Sequence, residues 1–531
     1  MLATLSDLAT PWPNGSGIFF HTLRQANANP EDIDTDSCAD LANRPDTAPR
    51  SATGIAVAAS SMCDRDVEKE AGGVPVGQVN SNTSSHCETI NANANDDPGL
   101  APPSGACAND ASANANGGSN IEVLPCGAVL VDGKLRKEDR GWRKMVRNFT
   151  PSWFSVSMGT GVVALLLHNL PYNAHGVWYI SVVVFCLNIF LFLSFSAITL
   201  TRYILYPEIW GVMIKHPSQS LFLGCIPMAL ATIVNMMVLV CSPWGNAFIY
   251  FTWALWWLDV ILSCACSLII PFVVVHHHRN QLSHMTAALL LPVVPVVVAS
   301  ASGGLIADVL PNKSHAVTTL VTSYILWGLG EVFSFFIMTV YFLRLQIHDL
   351  PPREVIVSVF LPIGPLGQGG FAIQQLGKTA YKLLPATGAF NGSVIDTSTP
   401  NILQATAQYG GTVLYMAGVL GALFCWGAAL GWLAFAIISI MTTKSFPFNM
   451  GWWGFVFPLG VLTTCTGMLA TELSSTFFKV ITMIFSGCVF CLWILVAVKT
   501  TIMVIHGDMF YAPCLRDLRP KEKQAGGDRT N

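Results

Sequence analysis

The sequence predicts an all-α polytopic membrane protein: ten transmembrane helices forming five helical hairpins around a central pore, behind a disordered N-terminal tail. Of its 531 residues, 52% are hydrophobic and only 11% charged. A soluble chain carries about a quarter charged residues. From residue 149 onward, apolar stretches of roughly 20 residues recur, each long enough to cross a bilayer as a helix. The short loops between them hold nearly all the Lys, Arg, Asp and Glu of that region. The placement of glycine and proline then predicts which helices face the pore.

Residues 1–133 read as a disordered tail, with runs such as Asn91–Asp97 and Asp110–Asn120 built from Asn, Ala, Asp, Ser and Gly. Such a segment buries too little apolar surface to offset its ordering entropy. The chain does not start with a basic stretch and apolar core of the signal-peptide kind, so insertion is expected to depend on the first membrane helix. Residues 134–148 form a basic juxtamembrane segment carrying Lys134, Arg136, Lys137, Arg140, Arg143, Lys144 and Arg147.

The transmembrane domain, residues 149–505, divides into spans Phe149–Leu170, Val177–Leu200, Gln219–Cys241, Phe248–Val275, Met285–Leu310, His315–Leu345, Val355–Leu384, Tyr409–Thr442, Gly451–Leu473 and Thr476–Ile505. Basic residues stay on the cytoplasmic side, which places both termini there, including the tail 506–531. Arg202, Lys215, Arg279, Arg344, Arg353 and Lys444 then fall in cytoplasmic loops. The sequons at Asn312 and Asn391 fall outside, as glycosylation candidates.

Glycine and proline favour the odd-numbered spans. Examples are Gly159 and Gly161, Gly224 and Pro227, Pro292 and Pro295, Pro362 to Gly370, and Gly454 to Gly467. A residue that interrupts a helix in lipid must line a cavity or find protein partners, so the odd spans are expected to be broken helices surrounding the pore. Close helix packing through small residues is the alternative at any single position.

A broken helix offers N-terminal N–H groups and a partial positive charge to an anion without burying a full cation. Candidates for such a pathway are Gly159, Thr160, Gly161, Gly364, Gly367, Gln368 and Thr463, with Lys378 as a substrate attractor or a side chain reaching the surface. Asp259 and Glu331 are ionisable residues inside spans, read either as proton-coupling residues or as structural, hydrogen-bonded carboxyls. Ten of the fifteen cysteines, from Cys186 to Cys514, lie in or beside apolar segments, and Cys264 with Cys266 has no second pair. No metal or cofactor is expected. A net charge of −3 gives no reason to expect a nucleic-acid partner. The chain has no Walker loop, hydrolase elbow or His-Glu-x-x-His motif, so ATP-driven pumping and intramembrane enzymology have no support.

Several strings carry a family resemblance: Asn148-Phe-Thr-Pro-Ser-Trp-Phe, Met158-Gly-Thr-Gly, His168-Asn-Leu-Pro-Tyr, Trp256-Trp-Leu-Asp, Leu361-Pro-Ile-Gly-Pro-Leu-Gly-Gln-Gly and Trp452-Trp-Gly-Phe-Val-Phe-Pro-Leu-Gly. Over roughly residues 142 to 510 the chain resembles the fungal sulfite efflux pumps of the tellurite-resistance/dicarboxylate transporter family, which also includes malate permeases and plant slow anion channels. The resemblance implies five hairpins around a pore, a homotrimer, and a gating phenylalanine on the ninth helix. Phe457 is the position that carries over, with Phe455 as its competitor. It further implies a plasma-membrane exporter of a small inorganic anion, sulfite or bisulfite. A C4-dicarboxylate permease or gated anion channel of the same family is the alternative, and a membrane sensor with a signalling tail a more distant one.

Overall fold

The structure, a computed structural model, describes residues 121–123, 129–131, 134–135, 141–172, 175–277, 281–387, 400–443, 445–507 and 509–516. The expected tail up to residue 120 and the sequon at Asn391 lie outside the described residues. Three short strands, β1 (Ile121–Val123), β2 (Val129–Val131) and β3 (Lys134–Leu135), pair antiparallel in that order, Ile121 opposite Val131 and Val131 opposite Lys134. The first two fall within the stretch read as structureless. Each is only three residues long, too short for its alternation to stand out among polar neighbours.

Beyond the short helix Gly141–Arg147, ten apolar helices follow the expected order. They are α1 (Phe154–His168), α2 (His175–Leu205), α3 (Cys225–Cys241), α4 (Asn246–His277), α5 (Val294–Val309), α6 (Lys313–Ile347), α7 (Ile363–Thr387), α8 (Pro400–Thr442), α9 (Trp453–Glu472) and α10 (Thr476–His506). Eight segments are each long and apolar enough to cross a bilayer. The segment Pro151–His168 qualifies only together with Gly141–Arg147, from which it bends by 86°, and α5 is shorter at 16 residues.

Each odd helix starts behind a 3-10 turn: Pro151–Trp153, Ser220–Gly224, Ala287–Leu290, Ile356–Phe360 and Met450–Trp452. These turns carry part of the crossing, which is why α1 and α5 are short. Three prolines fall in the first turn of an odd helix, Pro227 in α3, Pro295 in α5 and Pro365 in α7. An N–H in that turn has no intrahelical acceptor, so proline costs nothing there. This corrects the expectation of mid-span breaks at Pro227, Pro295 and Pro365, whereas Pro458 does lie inside α9. The Gly364 to Gly370 run lies inside one continuous helix, and the interruption sits at its start.

The odd helices form a closed inner ring, α1 on α3, α3 on α5, α5 on α7, α7 on α9, and α9 back on α1. Each even helix packs outside, on its own hairpin partner and on the next inner helix. Glycine permits the closest approaches in the ring. A Cβ on Gly367 would stand 2.6 Å from the Leu462 backbone nitrogen, and one on Gly460 would stand 2.7 Å from Val162. With Gly370 against Cys465 and Gly159 against Val456, numbers rise together along each pair, so α7 runs parallel to α9, and α9 to α1.

One hydrogen bond at each hairpin junction ties the outer ring to the inner. In every case an outer helix donates to the following inner helix. Asn188 of α2 donates to the Thr232 hydroxyl of α3 at 3.2 Å, and Trp256 of α4 to the Ala299 carbonyl of α5 at 2.8 Å. Trp327 of α6 donates to the Gly369 carbonyl of α7 at 3.0 Å, and Trp426 of α8 to Thr466 of α9 at 3.0 Å. Trp493 of α10 closes the ring on Thr160 of α1 at 3.1 Å.

The rim where the inner helices begin is buttressed by two buried arginines. Arg202 donates to the Arg147 carbonyl at 3.0 Å, and Arg344 to the carbonyls of Ser283 and Asp349. Residues 509–516 also dock there, with Phe510 stacked on Trp153 at 5.5 Å and the Ala512 N–H donating to Asn148.

Candidate anion pathway

The inner face of α9 follows from its outer face. Leu459 and Thr463 line a small crevice with Leu433 of α8 and Phe485, Cys488 and Val489 of α10, so they point away from the ring. Successive helical residues turn by about 100°, which puts Phe457 about 160° from Leu459 and on the inner side. Phe455 lies only about 40° from Leu459 by the same rule. Its ring packs edge-on against Phe360 at 4.8 Å and Trp452 at 5.6 Å. Of the two candidates, Phe457 is the one turned towards the axis.

The inner face of α7 is bracketed in the same way. Gly367 abuts α9, whereas Gln375 and Thr379 donate to the Gly304 carbonyl of α5 at 3.4 and 3.0 Å. Between these two directions fall Gly364, Phe371 and Lys378, spaced by seven residues and so nearly on one line, with Gln368 beside them. Gly364 is buried, yet nothing lies within 4 Å of where its Cβ would stand. Gln368 is 4% exposed and makes no hydrogen bond among the described residues. Gly364 faces open interior, and Gln368 lies about 40° round the helix from it, on the side that Gln375 and Thr379 turn towards α5.

Most of the other pathway candidates serve packing. Gly159 faces Trp453 and Val456 of α9, and Gly161 faces Thr232 and Asn188. Thr160 donates to the Val156 carbonyl at 2.8 Å and receives the Trp493 indole on the outer side of α1. Thr463 donates to the Leu459 carbonyl at 2.7 Å on the outer side of α9, and Gly367 is a ring contact. The structure places these residues at contacts within and between helices. Small residues and hydroxyls in a span look alike in sequence whether they front a pore or a neighbouring helix.

Lys378 lies on the axial line near the far end of α7, paired with Glu472 at 2.7 Å, and Glu472 also accepts from Tyr415 at 2.7 Å. One turn on, Lys382 pairs with Asp308 at 2.8 Å. Both cations stand near a helix C-terminus, where they offset its partial negative charge. Asp259 and Glu331 belong to outer helices, are 0% and 2% exposed, and have no hydrogen-bond partner for either carboxyl oxygen. Glu331 lies against Gly369, on the side of α7 about 160° from Phe371, so it stands behind the inner helix and off the axis. Asn312 is exposed and caps α6, its side-chain oxygen accepting from Ser314 N–H at 2.9 Å.

Five parallel helices thus begin at one rim, where the positive ends of their dipoles favour negative charge. Phe457 is buried and, by its turn from Leu459, faces the inside of this ring. This arrangement draws anions to one mouth without burying a cation there. The SLAC1 family, described as voltage-dependent anion channel, matches residues 148–501. The chain belongs to this family. Its relatives include the sulfite efflux pump SSU1 of Arthroderma benhamiae, 43% identical over 378 residues, which covers 71% of this chain and 96% of that protein. The sulfite efflux pump SSU1 of Trichophyton rubrum is 44% identical over the same shares. The malic acid transport protein of Schizosaccharomyces pombe is 25% identical over 407 residues, covering 75% of this chain and 88% of that protein. The SLAC1 match takes in all ten helices except the last turn of α10, and therefore the whole ring.

Nothing in the sequence marks the four outer tryptophans or Asn188 as ring-closing donors. Their signal, a hydrogen-bonding side chain inside an otherwise apolar even span, is visible only once the inner and outer helices are known.

Proposed function

We propose that the chain exports sulfite or bisulfite across the plasma membrane, as a homotrimer in which each protomer has its own pathway and both termini face the cytoplasm. The observation that carries this reading is the closed ring of five parallel inner helices, whose N-termini gather around an axis plugged by Phe457. Helix ends attract the anion at the rim, and the Gln368 amide supplies a donor that replaces part of its hydration further in. An inside-negative potential favours exit of an anion by about 2.3 kcal/mol per charge per 100 mV, which is enough drive without a coupled proton. The off-axis positions of Glu331 and Asp259 agree with uncoupled flux. A dicarboxylate needs a stronger positive counterpart, and the lysines at the far end of α7 are both neutralised by carboxylates.

Purified protein in liposomes tests this under an imposed potential, with sulfite, malate, nitrate and chloride compared. Sulfite-selective flux that rises severalfold in Phe457→Ala supports the exporter and its plug. Malate-selective flux would replace it with the dicarboxylate reading, and no flux of any anion from folded protein would sink both.

A further inference from the structure

Phe371 shares the axial line of α7 with Gly364, and its level relative to Phe457 follows from two contacts. Gly367 abuts Leu462 and Gly370 abuts Cys465, so each residue of α7 stands level with the α9 residue 95 positions later. Phe457 is then level with residue 362, and Phe371 lies nine residues further along the axis, about 13 Å away. Phe371 is 7% exposed and packs in one cluster with Ala301 of α5 and Met468 of α9, with Leu305 alongside. Met468 lies eleven residues beyond Phe457, three turns along the same inner face of α9. The ring therefore meets a second aromatic side chain on its axis, backed by residues of both neighbouring inner helices.

Between the two phenylalanines lie the open space at Gly364 and the Gln368 amide. Gln368 is 4% exposed and makes no hydrogen bond among the described residues, so its amide N–H groups are left for a ligand or water to take. We propose that Phe371 is a second gate in series with Phe457, and that a small oxyanion is held between the two gates by Gln368. This rests on the anion-pathway reading above. Two plugs in series let the chain enclose an anion without ever opening a continuous path. A single plug, once displaced, leaves an open channel.

The test measures potential-driven chloride and sulfite flux from full-length protein in liposomes for the wild type, Phe457→Leu, Phe371→Leu and the double variant. Leucine keeps most of the packed volume, and thermal melting in detergent checks folding. In series, each single variant leaves one barrier standing and raises flux severalfold at most, whereas the double variant exceeds either by about tenfold or more. A double variant no faster than Phe457→Leu overturns the second gate and leaves the pathway reading intact. Absence of anion flux in the folded wild type and in Phe457→Leu alike would instead overturn the pathway itself. For the site between the gates, Gln368→Leu should raise the half-saturating sulfite concentration about tenfold. An unchanged value overturns Gln368 as its donor.

Discussion

The second and third helices of the ring system, one outer and one inner, are close in hydropathy and opposite in environment. The apolar segments Gly176–Leu205 and Ser220–Trp244 have mean hydropathies of 2.4 and 2.1, but 22% of the first is buried against 83% of the second. What separates them is what stands next to their small residues. Inner glycines such as Gly367, Gly370 and Gly460 have a neighbouring helix against them, whereas the outer Gly328, Gly427, Gly431 and Gly487 have nothing within 4 Å. Outer glycines that meet an inner helix, such as Gly330 and Gly418, are as tightly packed, so a glycine's contacts report which face of a helix it lies on.

That contrast is broken most severely by adding side-chain atoms to each ring in turn. Gly367→Val forces atoms into the Leu462 backbone, and it should cost about 3 kcal/mol or more, because backbone cannot move aside as a side chain can. Gly427→Val projects outward and should stay within about 0.5 kcal/mol of the wild type. Thermal melting of the detergent-solubilised proteins, with the monodisperse fraction recorded, reads both. Equal losses would mean that the two rings are packed alike.

The two phenylalanines of α9 sharpen the comparison within one inner helix. Phe455→Ala removes a ring wedged between Phe360 and Trp452 and should destabilise by about 3 kcal/mol without raising flux. Phe457→Ala should raise flux instead. If the Phe455 variant is the leaky one, the turn angle from Leu459 has misassigned the inner face.

The ten-helix order, the hairpins and the inner position of the odd helices were legible in sequence because each leaves a periodic mark: apolar length, loop charge, and glycine with proline. Which face of an inner helix meets the axis left no such mark. Gly364 and Gly367 sit three residues apart in one string, yet the first fronts open space and the second abuts α9. Phe371 is one phenylalanine among 30, and only its register with α9 makes it axial. The prolines were legible as interruptions but their effect was misread. Pro227, Pro295 and Pro365 fall in the first turn of their helices, where a missing N–H removes no helical hydrogen bond.

The junction hydrogen bonds should show a smaller effect, at the seam between the two rings. Trp327→Phe and Trp493→Phe each delete one indole N–H and keep most of the ring, for a loss of about 0.6 to 1 kcal/mol. The two belong to different junctions, so the double variant should lose the sum. A markedly larger loss in the double variant would show that the junctions act together in holding the ring closed.

The smallest effect is expected at the far end of α7. Lys378 is 34% exposed, and a partly exposed ion pair contributes no more than about 1 kcal/mol. Lys378→Gln combined with Glu472→Gln removes both charges together and leaves no bare partner, so melting should barely change. Sulfite flux should stay close to wild type, because the helix N-termini at the opposite rim do the attracting. The same pair of changes separates the two substrates. If Lys378 draws a doubly charged substrate despite its partner, malate flux falls sharply in the double variant while the melting temperature holds, and the electrostatic asymmetry assigned to the inner ring would have to be reversed.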